Sequence, residues 1–451
     1  MKTLSAQMVV VLLACVAASC AGNDGKDGKT GATGPAGLDG DAGPAGEPGA
    51  VGEAGPPGMD GVNGADGGLA DGSLTTGCLG PCHGFNGIVE QWKTSTHYAT
   101  FISNLGGTEV ATWTGAKACG NCHALDAIEQ RVAANVGHVG AAGPVNVKKG
   151  QINYLASTNG VITESIYAGQ ATVAEVNCTT CHDSSANNDP HITGKAYTPD
   201  SFPLRVPTGA TDQAIIEKSS AVGVSDGTPA GEYGKGNACI WCHKSRKDVT
   251  NYITASNAVT STTWGPHEGP QADIYTGKGG YHYAGRTYGA STHQGFEDGC
   301  VKCHMPDVVS NQSIGNHSAY AQLSACQTAG CHANATSFDV AGGQSAMKAG
   351  IQELRVALNN LGLLTRGTAA PYPTLAPTDL ADTDFASDLT RPDPTRTTPL
   401  TADQAGALYN YLLLARGSAG GVHNPLYSRE LIYDSVKALT ASAPVTIPAR
   451  P

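Results

Sequence analysis

The chain has 451 residues, of which 40% are hydrophobic, 6% are aromatic and 14% are charged. The low aromatic and charged contents predict a thin core if the core is made of protein alone. The net charge of -11 at pH 7 argues against a nucleic-acid-binding protein, which needs a basic surface. No apolar run approaches the ~20 residues of a membrane-spanning helix, so a polytopic membrane protein is excluded.

Residues 1–19 have the pattern of a secretory signal peptide, with Lys2 followed by an apolar stretch over 8–16. Small residues at 17–19 precede Cys20, which resembles a bacterial lipobox whose cysteine is lipidated. We therefore expect a secreted lipoprotein that Cys20 anchors to a membrane without crossing it. An ordinary signal peptide with an incidental Cys20 is the alternative. Ala21 in place of Asp, by resemblance to bacterial sorting rules, indicates the outer membrane, at the cell surface or on its periplasmic face.

A glycine repeat follows the signal. Glycine occupies every third position from Gly22 to Gly67, which gives sixteen uninterrupted Gly-X-Y triplets within a predicted stalk at residues 20–72. Only glycine fits the crowded axis of a collagen triple helix. Proline is sparse in the repeat, so two interpretations stay open: a stalk that joins three chains into a homotrimer, and a flexible acidic spacer. Adhesion or scaffolding through this stalk is a further functional alternative.

Twelve cysteines lie beyond the stalk, and they form six pairs that each end in Cys-His. Four pairs have the spacing C-x-x-C-H, the first pair is longer by one residue and the last is longer by two. The six sets are Cys78, Cys82 and His83; Cys119, Cys122 and His123; Cys178, Cys181 and His182; Cys239, Cys242 and His243; Cys300, Cys303 and His304; and Cys326, Cys331 and His332.

C-x-x-C-H is the attachment signature of c-type haem. The two thiols form thioethers to the two vinyl groups of the porphyrin, and the following histidine reaches the iron as its first axial ligand. A longer loop between the cysteines only bulges the chain and keeps the Cys-His pair intact. A zinc site would not need a histidine after every second cysteine. Disulfides are plausible in a secreted chain, but six haems, Cys20 and the signal account for every cysteine. We therefore predict six covalently bound haems.

Eight histidines remain outside the motifs, and six irons need six further axial ligands. The predicted folded region contains only two methionines, Met305 and Met347, so we expect most sites to have two histidine ligands. The eight histidines are His97, His138, His191, His267, His282, His293, His317 and His423.

Patches between the motifs narrow this choice. Residues 91–97 read QWKTSTH, residues 288–293 read YGASTH, residues 264–271 contain HEGPQ, residues 314–317 read IGNH, and residues 421–425 read GVHNP. These patches resemble ligand segments of the multihaem c-type cytochromes of metal-reducing bacteria, which include outer-surface lipoproteins. The last patch is similar to a turn of the pentahaem nitrite reductase relatives. The resemblance covers about residues 78–440.

The resemblance implies a multihaem cytochrome c fold over residues 73–342. Such a fold is mainly α with little regular structure: short helices, here expected over 90–105 and 126–136, and long loops pack around six haems. The patches also imply second axial ligands at His97, His267, His293, His317 and His423. His191, which lies nine residues after His182, is predicted as the sixth, with His138 and His282 left over.

Residues 343–451 differ, because they show helical periodicity over 344–364, 401–416 and 426–440. Thr401 and Gln404 have the spacing of a capping box at the start of the second helix. Residues 367–398 are rich in Pro, Thr and Asp and predict an exposed loop. We expect this C-terminal helical segment to pack on the haem region and return His423 to it. In the alternative, the segment is a separate module and His423 is not a ligand.

The resulting hypothesis is electron transfer by a surface-anchored hexahaem protein. By the resemblance, its partners are other c-type cytochromes or extracellular acceptors such as metal oxides, metal ions and electron shuttles, and chains can also stack into filaments. The alternative is a reductase of a small nitrogen or sulfur oxyanion, which needs one iron with an open position. The stretched sites at His83 and His332 are the first candidates for that position. Related nitrite reductases often carry Cys-Lys there, and this chain has no C-x-x-C-K.

Overall fold

The computed structural model describes a long C-terminal part of the chain and several shorter pieces before it. The described residues are 87–99, 122, 157–158, 161–162, 176–183, 203–204 and 234–451, the last range with gaps at 246–248, 255, 297, 309–310, 329, 368–369, 372, 382–384, 386–389 and 419.

Short helices carry the described motifs that precede residue 343. The helices are α1 (Ile88–Lys93), α2 (Cys178–Cys181), α3 (Asn237–Ile240), α4 (Gln271–Tyr275), α5 (Gly299–His304) and α6 (Leu323–Cys326). Two hairpins lie between them, β1 (Ser157–Thr158) with β2 (Val161–Ile162) and β3 (Asp307–Val308) with β4 (Asn311–Gly315), and both are antiparallel. Long connections join these elements, so little of the backbone here is regular.

Longer helices make up the C-terminal part. They are α7 (Gly343–Asn360), α8 (Pro377–Ala381), α9 (Ala402–Arg416) and α10 (Pro425–Thr440), with one antiparallel pair of strands, β5 (Leu364–Arg366) and β6 (Thr390–Pro392). The predicted capping box is confirmed: the Thr401 hydroxyl accepts the Gln404 N–H at 3.1 Å, and the Gln404 side chain accepts the Thr401 N–H at 3.0 Å.

The main hydrophobic core joins these helices to the haem-motif region. Leu354 of α7, Leu408 of α9 and Leu431 of α10 are fully buried in one cluster with Trp264 and Ile274. Because this cluster contains residues from both sides of position 343, the C-terminal helices do not form a separate module. Contacts of α10 with both α7 and α9 hold the three helices together.

Helix α9 is buried on all sides from Ala405 to Arg416. One side packs on the chain around Tyr281, where Asn410 accepts the Tyr281 N–H at 2.7 Å and donates to the Tyr281 carbonyl at 3.0 Å. Gly406 allows this approach, since a Cβ at that position would lie 2.0 Å from a Tyr281 ring carbon. The haem-motif region thus supplies the polar partners of a buried helix.

One expectation about local structure is confirmed in part and another is wrong. Helix covers 90–93 and 96–99 of the predicted 90–105, with an interruption at Thr94 and Ser95, where the Ser95 hydroxyl accepts the Tyr98 N–H at 3.1 Å; residues 100–105 lie outside the described part of the chain. The loop predicted over 367–398 contains α8 and β6, and its Leu375 and Phe385 side chains are buried. The predicted helix over 126–136 lies outside the described residues. No described helix is long and apolar enough to cross a membrane.

Candidate functional site

The described C-x-x-C-H motifs lie on single helical turns. Cys178 and Cys181 begin and end α2, and Cys300 and Cys303 lie in α5, so the two sulfurs of each motif project from one face. The histidine N–H at the end of the turn bonds the carbonyl of the first cysteine, at 2.8 Å for His182 and 2.9 Å for His243. This bond fixes the position of the histidine backbone relative to the first cysteine.

The stretched motif at 326–332 keeps the same bond. The His332 N–H donates to the Cys326 carbonyl at 2.9 Å although two more residues separate them. The additional chain forms a turn in which Cys331 N–H bonds the Thr328 carbonyl and Gly330 has a positive φ of 84°. The first cysteine and the histidine therefore hold the relation seen in the standard motifs, as the sequence predicts for a bulged loop.

Each of the four motif histidines that the structure describes faces a histidine from elsewhere in the chain. We call the four pairs sites A to D. Site A is His182 with His317, 6.3 Å between ring centres; site B is His243 with His97, 6.1 Å; site C is His304 with His423, 6.3 Å; and site D is His332 with His293, 6.2 Å.

These spacings are uniform and too long for ring contact. The His282 and Tyr288 rings, which do stack directly, have centres 4.2 Å apart. Imidazole–metal bonds measure about 2.0–2.1 Å, as zinc–histidine sites show, and a ring centre lies roughly 1.1 Å beyond the bonded nitrogen, so two imidazoles on opposite sides of one metal have centres about 6.3 Å apart. The four pairs therefore fit a metal between their rings.

A pair of imidazoles provides only two ligands. Among the described residues, no three His, Cys, Asp or Glu side chains converge to hold a metal ion by themselves. A porphyrin would supply four further nitrogen ligands, and each motif carries two thiols that could attach it. The donor set thus fits an iron porphyrin attached through the cysteines.

Hydrogen bonds at Nδ1 orient most of these rings. Oxygen atoms lie within hydrogen-bond distance of Nδ1 in five of the paired histidines, which places the ring proton on Nδ1 and leaves the Nε2 lone pair to bind a metal. The partners are the Pro203 carbonyl for His182 (3.2 Å), Gln271 Oε1 for His243 (3.2 Å), the Val422 carbonyl for His293 (2.6 Å), the Ala319 carbonyl for His304 (2.9 Å) and the Gly315 carbonyl for His317 (2.7 Å).

The turn before α10 organises two sites at once. Val422 supplies the carbonyl that orients His293, His423 faces His304, and Asn424 caps α10 by accepting the Tyr427 N–H at 3.3 Å. Pro425 takes the first position of α10, where its missing N–H is harmless. The Asn424 side chain also accepts the Ser291 N–H and donates to the Gln294 side chain. Ser291 and Gln294 flank the segment Thr292-His293.

Burial favours the neutral form of two of the site histidines, His423 and His317. It lowers the pKa of His423 to about 3, with further lowering by nearby His304, His243 and His293, and it lowers the pKa of His317. Neutral imidazole is the form that binds metal. His423 Nδ1 is buried and has no hydrogen-bond partner among the described residues.

His282 and His267 lie in other surroundings. His282 uses Nε2, the atom that a ligand histidine needs, in a 2.8 Å hydrogen bond with the Tyr427 hydroxyl, in keeping with its exclusion from the predicted ligands. His267 bonds the Glu268 carbonyl through Nδ1 at 2.9 Å, and Arg416 binds the preceding Pro266 carbonyl. His267 is not in sites A to D.

Cysteine contacts link the sites to one another. The partly buried Cys239 and Cys300 thiols of sites B and C lie in mutual hydrogen-bond contact, and this contact together with burial raises the pKa of Cys239. The Cys122 thiol lies 3.7 Å from the Cys242 carbonyl, which joins a further motif to site B. Burial raises the pKa of Cys303, which also lies close to Cys326 of site D.

The nine described cysteines are free thiols, and among these residues none forms a disulfide. Burial also raises the pKa of Cys178 and of Cys326. The predicted residues outside the described part of the chain are Cys20, Cys78, Cys82, His83, Cys119, His123 and His191.

Sequence reasoning missed the groups that orient the rings. Most are backbone carbonyls, which have no residue signature. Gln271 is an exception, since it belongs to the HEGPQ patch that predicts His267 as a ligand. Gln91 is another, because its side chain accepts the His317 N–H at 2.9 Å and ties α1 to site A. Met347 belongs to none of the sites A to D: its side chain is buried in the hydrophobic core and lies next to Gly421.

The comparisons with known proteins identify one segment. Residues 19–72 match the family model of the collagen triple helix repeat, and the segment is therefore collagen-like. No curated protein matches the chain. No solved structure matches it either.

Proposed function

We propose that this protein is a multihaem c-type cytochrome that transfers electrons at the outer surface of a bacterial cell. The observation that supports the proposal most is the histidine pairing. Each motif histidine of sites A to D faces one non-motif histidine at 6.1–6.3 Å between ring centres. The four non-motif members, His97, His293, His317 and His423, are all among the six second axial ligands predicted from the sequence.

In this proposal the cysteines of each motif would hold a haem through thioether bonds, and the paired histidines would bind its iron. The haem when bound supplies reversible one-electron chemistry. The chain orients five of the imidazoles through their Nδ1 hydrogen bonds, and burial lowers the pKa of His423 and His317. The contacts between Cys239 and Cys300 and between Cys303 and Cys326 bring neighbouring motifs together, which electron transfer along a series of haems requires.

The alternative, an oxyanion reductase, needs an iron that lacks a second protein ligand. At site D, His293 faces His332, which argues against the stretched motif at 326–332 as the open position. The remaining candidates for an open iron are the motifs that end at His83 and His123, and both of these histidines lie outside the described residues.

The test is haem content and spin state of the purified protein, produced in a host that attaches c-type haem. Intact mass and the pyridine haemochrome spectrum should give six haems per chain. Electron paramagnetic resonance (EPR) of the oxidised protein should show low-spin ferric iron. A protein without haem would overturn the proposal, and a high-spin signal that shifts on addition of nitrite would favour the reductase.

Ligand variants sharpen this test. His317→Ala should convert one iron to a high-spin form, because site A loses one axial ligand. The matched control is His282→Gln, which retains a hydrogen-bonding side chain for Tyr427 and should leave all irons low-spin. An unchanged spectrum for His317→Ala, with all haems attached, would contradict the site A assignment.

We also propose that Cys20 carries the lipid anchor and that the collagen-like segment holds the haem region away from the outer membrane. Cys20→Ala should release the protein from the membrane fraction into the medium or periplasm. Sedimentation of the soluble protein distinguishes a homotrimer from a monomer on a flexible spacer. Substituting alanine at two central glycines, Gly43 and Gly46, should dissociate a trimer and leave a monomer unchanged.

A further inference from the structure

The chain that leads to His293 follows α10 closely. We call residues 287–293 the ligand segment, because it ends at this histidine of site D. Every second residue from 289 onward is bonded to α10 or to the turn before it, so the helix fixes the path of the segment. The three bonds are Gly289 N–H to Glu430 Oε2 (2.7 Å), Ser291 N–H to Asn424 Oδ1 (3.2 Å) and His293 Nδ1 with the Val422 carbonyl (2.6 Å).

The ligand segment also packs directly on the helix. A Cβ at Gly289 would lie 2.5 Å from Leu426 Cδ2, which is closer than two carbon atoms can approach without a bond. Glycine at this position therefore allows the backbone of the segment to reach the carboxylate of Glu430.

The bond at the first residue of the segment comes from outside α10. Arg450 donates through Nη2 to the Thr287 carbonyl at 2.6 Å. Its guanidinium also lies over the Tyr288 ring, 5.2 Å from the ring centre, at a distance typical of a cation–π contact. Arg450 thus holds the two residues at which the ligand segment begins.

The same guanidinium is fixed to α10. Arg450 Nε lies 3.1 Å from both carboxylate oxygens of Asp434, and Nη1 donates to Glu430 Oε1 at 3.2 Å. The two carboxylate side chains are only 2% and 6% exposed, so these charge-assisted bonds lie in largely buried surroundings. A planar guanidinium can bond several acceptors at once. Arg450 therefore bridges α10 and the ligand segment.

Residues 441–451, which we call the strap, bring Arg450 back along α10. Ala441 has a positive φ of 61° where the helix ends, and the chain reverses there. Ile447 of the strap is 3% exposed in the main core, and Glu353 of α7 accepts two backbone N–H groups of the strap at 2.6 and 2.9 Å. Packing of the strap on α7 thus sets the position of Arg450.

We propose that Arg450 is a positioning residue for His293. It holds the start of the ligand segment on α10 and so keeps the His293 ring in its orientation toward His332, in which the two ring planes cross at 87°. This inference rests on the proposed haem-binding function. Groups that surround a ligand histidine orient its ring and thereby tune the bound metal. Arg450 would act in this way through the chain, without a contact to the ligand itself.

EPR of the oxidised protein tests this role at one iron. His293→Met replaces one ligand and so identifies the signal of site D. Arg450→Ala should change this same signal and leave the others as they are in the native protein. An unchanged site D signal, or equal changes in every signal, would overturn the proposal.

Arg450→Lys decides the question if Arg450→Ala does not fold. Lysine keeps a positive charge beside Asp434 and Glu430, but its ammonium group lacks the planar fork that also reaches the Thr287 carbonyl. The site D signal should therefore change in this variant too, by less than in Arg450→Ala. A native signal in Arg450→Lys would then contradict the positioning role.

Two controls separate positioning from stability. Arg286→Ala removes another arginine beside Asp434, whose carboxylate lies 3.7 Å from Arg286 Nε, and retains the contacts of Arg450. Leu408→Ala removes a fully buried side chain of α9 and lowers the stability of the core. Both variants should keep the native site D signal. A change in Leu408→Ala as large as in Arg450→Ala would show that the signal follows general stability, and would refute the proposal.

Release of the ligand gives a second measurement. Carbon monoxide binds a reduced haem iron with two histidine ligands only after one of them leaves, so its rate of binding reports how firmly His293 is held. One iron of Arg450→Ala should bind carbon monoxide at least about tenfold faster than in the native protein, because charge-assisted hydrogen bonds are lost. Arg286→Ala should bind it at the native rate. Equal rates for Arg450→Ala and the native protein would contradict the proposal.

The two failures are distinguishable. Six attached haems, with a native site D signal and a native rate of carbon monoxide binding in Arg450→Ala, would refute the positioning role and leave the cytochrome proposal intact. A native protein that attaches no haem would refute the cytochrome proposal before Arg450 is tested.

Discussion

Between residues 343 and 451, three helices bury a continuous set of leucine, isoleucine and tyrosine side chains. The described part of the haem-motif region buries a smaller separate cluster around Ile240, Trp241 and Tyr275, and its neighbours include Cys181, Cys242 and Cys300. The C-terminal helices thus have a protein core, which Trp264 and Ile274 complete. The motif helices of four to six residues are too short to be stable alone. In the proposed cytochrome, haems would complete the interior of the motif region.

The largest expected effect separates these two regions. Serine at all twelve motif cysteines would prevent haem attachment. Amide hydrogen exchange should then show at least about tenfold less protection for α2, α3 and α5, while α9 and α10 retain most of theirs. Comparable loss of protection in both regions would mean that the C-terminal core also depends on the cofactors.

The next effect probes the protein-only core. Leu408 is fully buried in α9, and Leu408→Ala should lower the free energy of unfolding by about 2–5 kcal/mol. Guanidinium denaturation followed by the helical circular dichroism signal measures the change. The control, Leu361→Ala, removes a side chain that is 38% exposed and should change the free energy by about 0.5 kcal/mol or less.

Variants at two helix caps allow a comparison between the turn before α10, which contains His423, and the turn before α9, which contains no site residue. Asn424→Ala and Thr401→Ala should each reduce the free energy of unfolding by about 1 kcal/mol. Only Asn424→Ala should also change the EPR signals, since Asn424 bonds the chain around His293 and follows His423. Identical spectra for both variants would show that the cap does not position the ligands.

The smallest effect concerns pH. Partial burial acts to raise the pKa of Glu353, but hydrogen bonds from Thr446 and Val445 hold it below 4.5. Because the pKa is depressed in the folded state, the carboxylate stabilises the protein at pH above 4.5, and this contribution is lost as the pH falls through the folded-state pKa. Solvent screening limits the contribution to less than about 1 kcal/mol.

Thermal unfolding of the native protein and of Glu353→Gln measures that contribution. The native protein should be the more stable of the two at pH 7, and the difference should shrink toward pH 3. A constant difference across this range would mean that the charge of Glu353 is irrelevant to the attachment of the C-terminal residues.

Local signals predicted much of the described structure. The capping box at Thr401 and Gln404 and the periodicity of α7 depend on neighbouring residues only, so the sequence reveals them. The strand at 390–392 was missed because its partner, β5, lies more than twenty residues away. Composition alone therefore misassigned a partly buried segment as an exposed loop.

The motif spacing and the count of spare histidines led to the haem-ligand hypothesis without coordinates, and the glycine period defined the collagen-like segment, because all three are properties of the covalent chain. Contacts between residues up to about 150 positions apart decide which histidines face each other and at what ring angle. They also decide which carbonyl orients each ring. Those contacts form only when the chain packs. The pairing of His304 with His423, and the crossing of His293 and His332, were therefore decided by the tertiary structure.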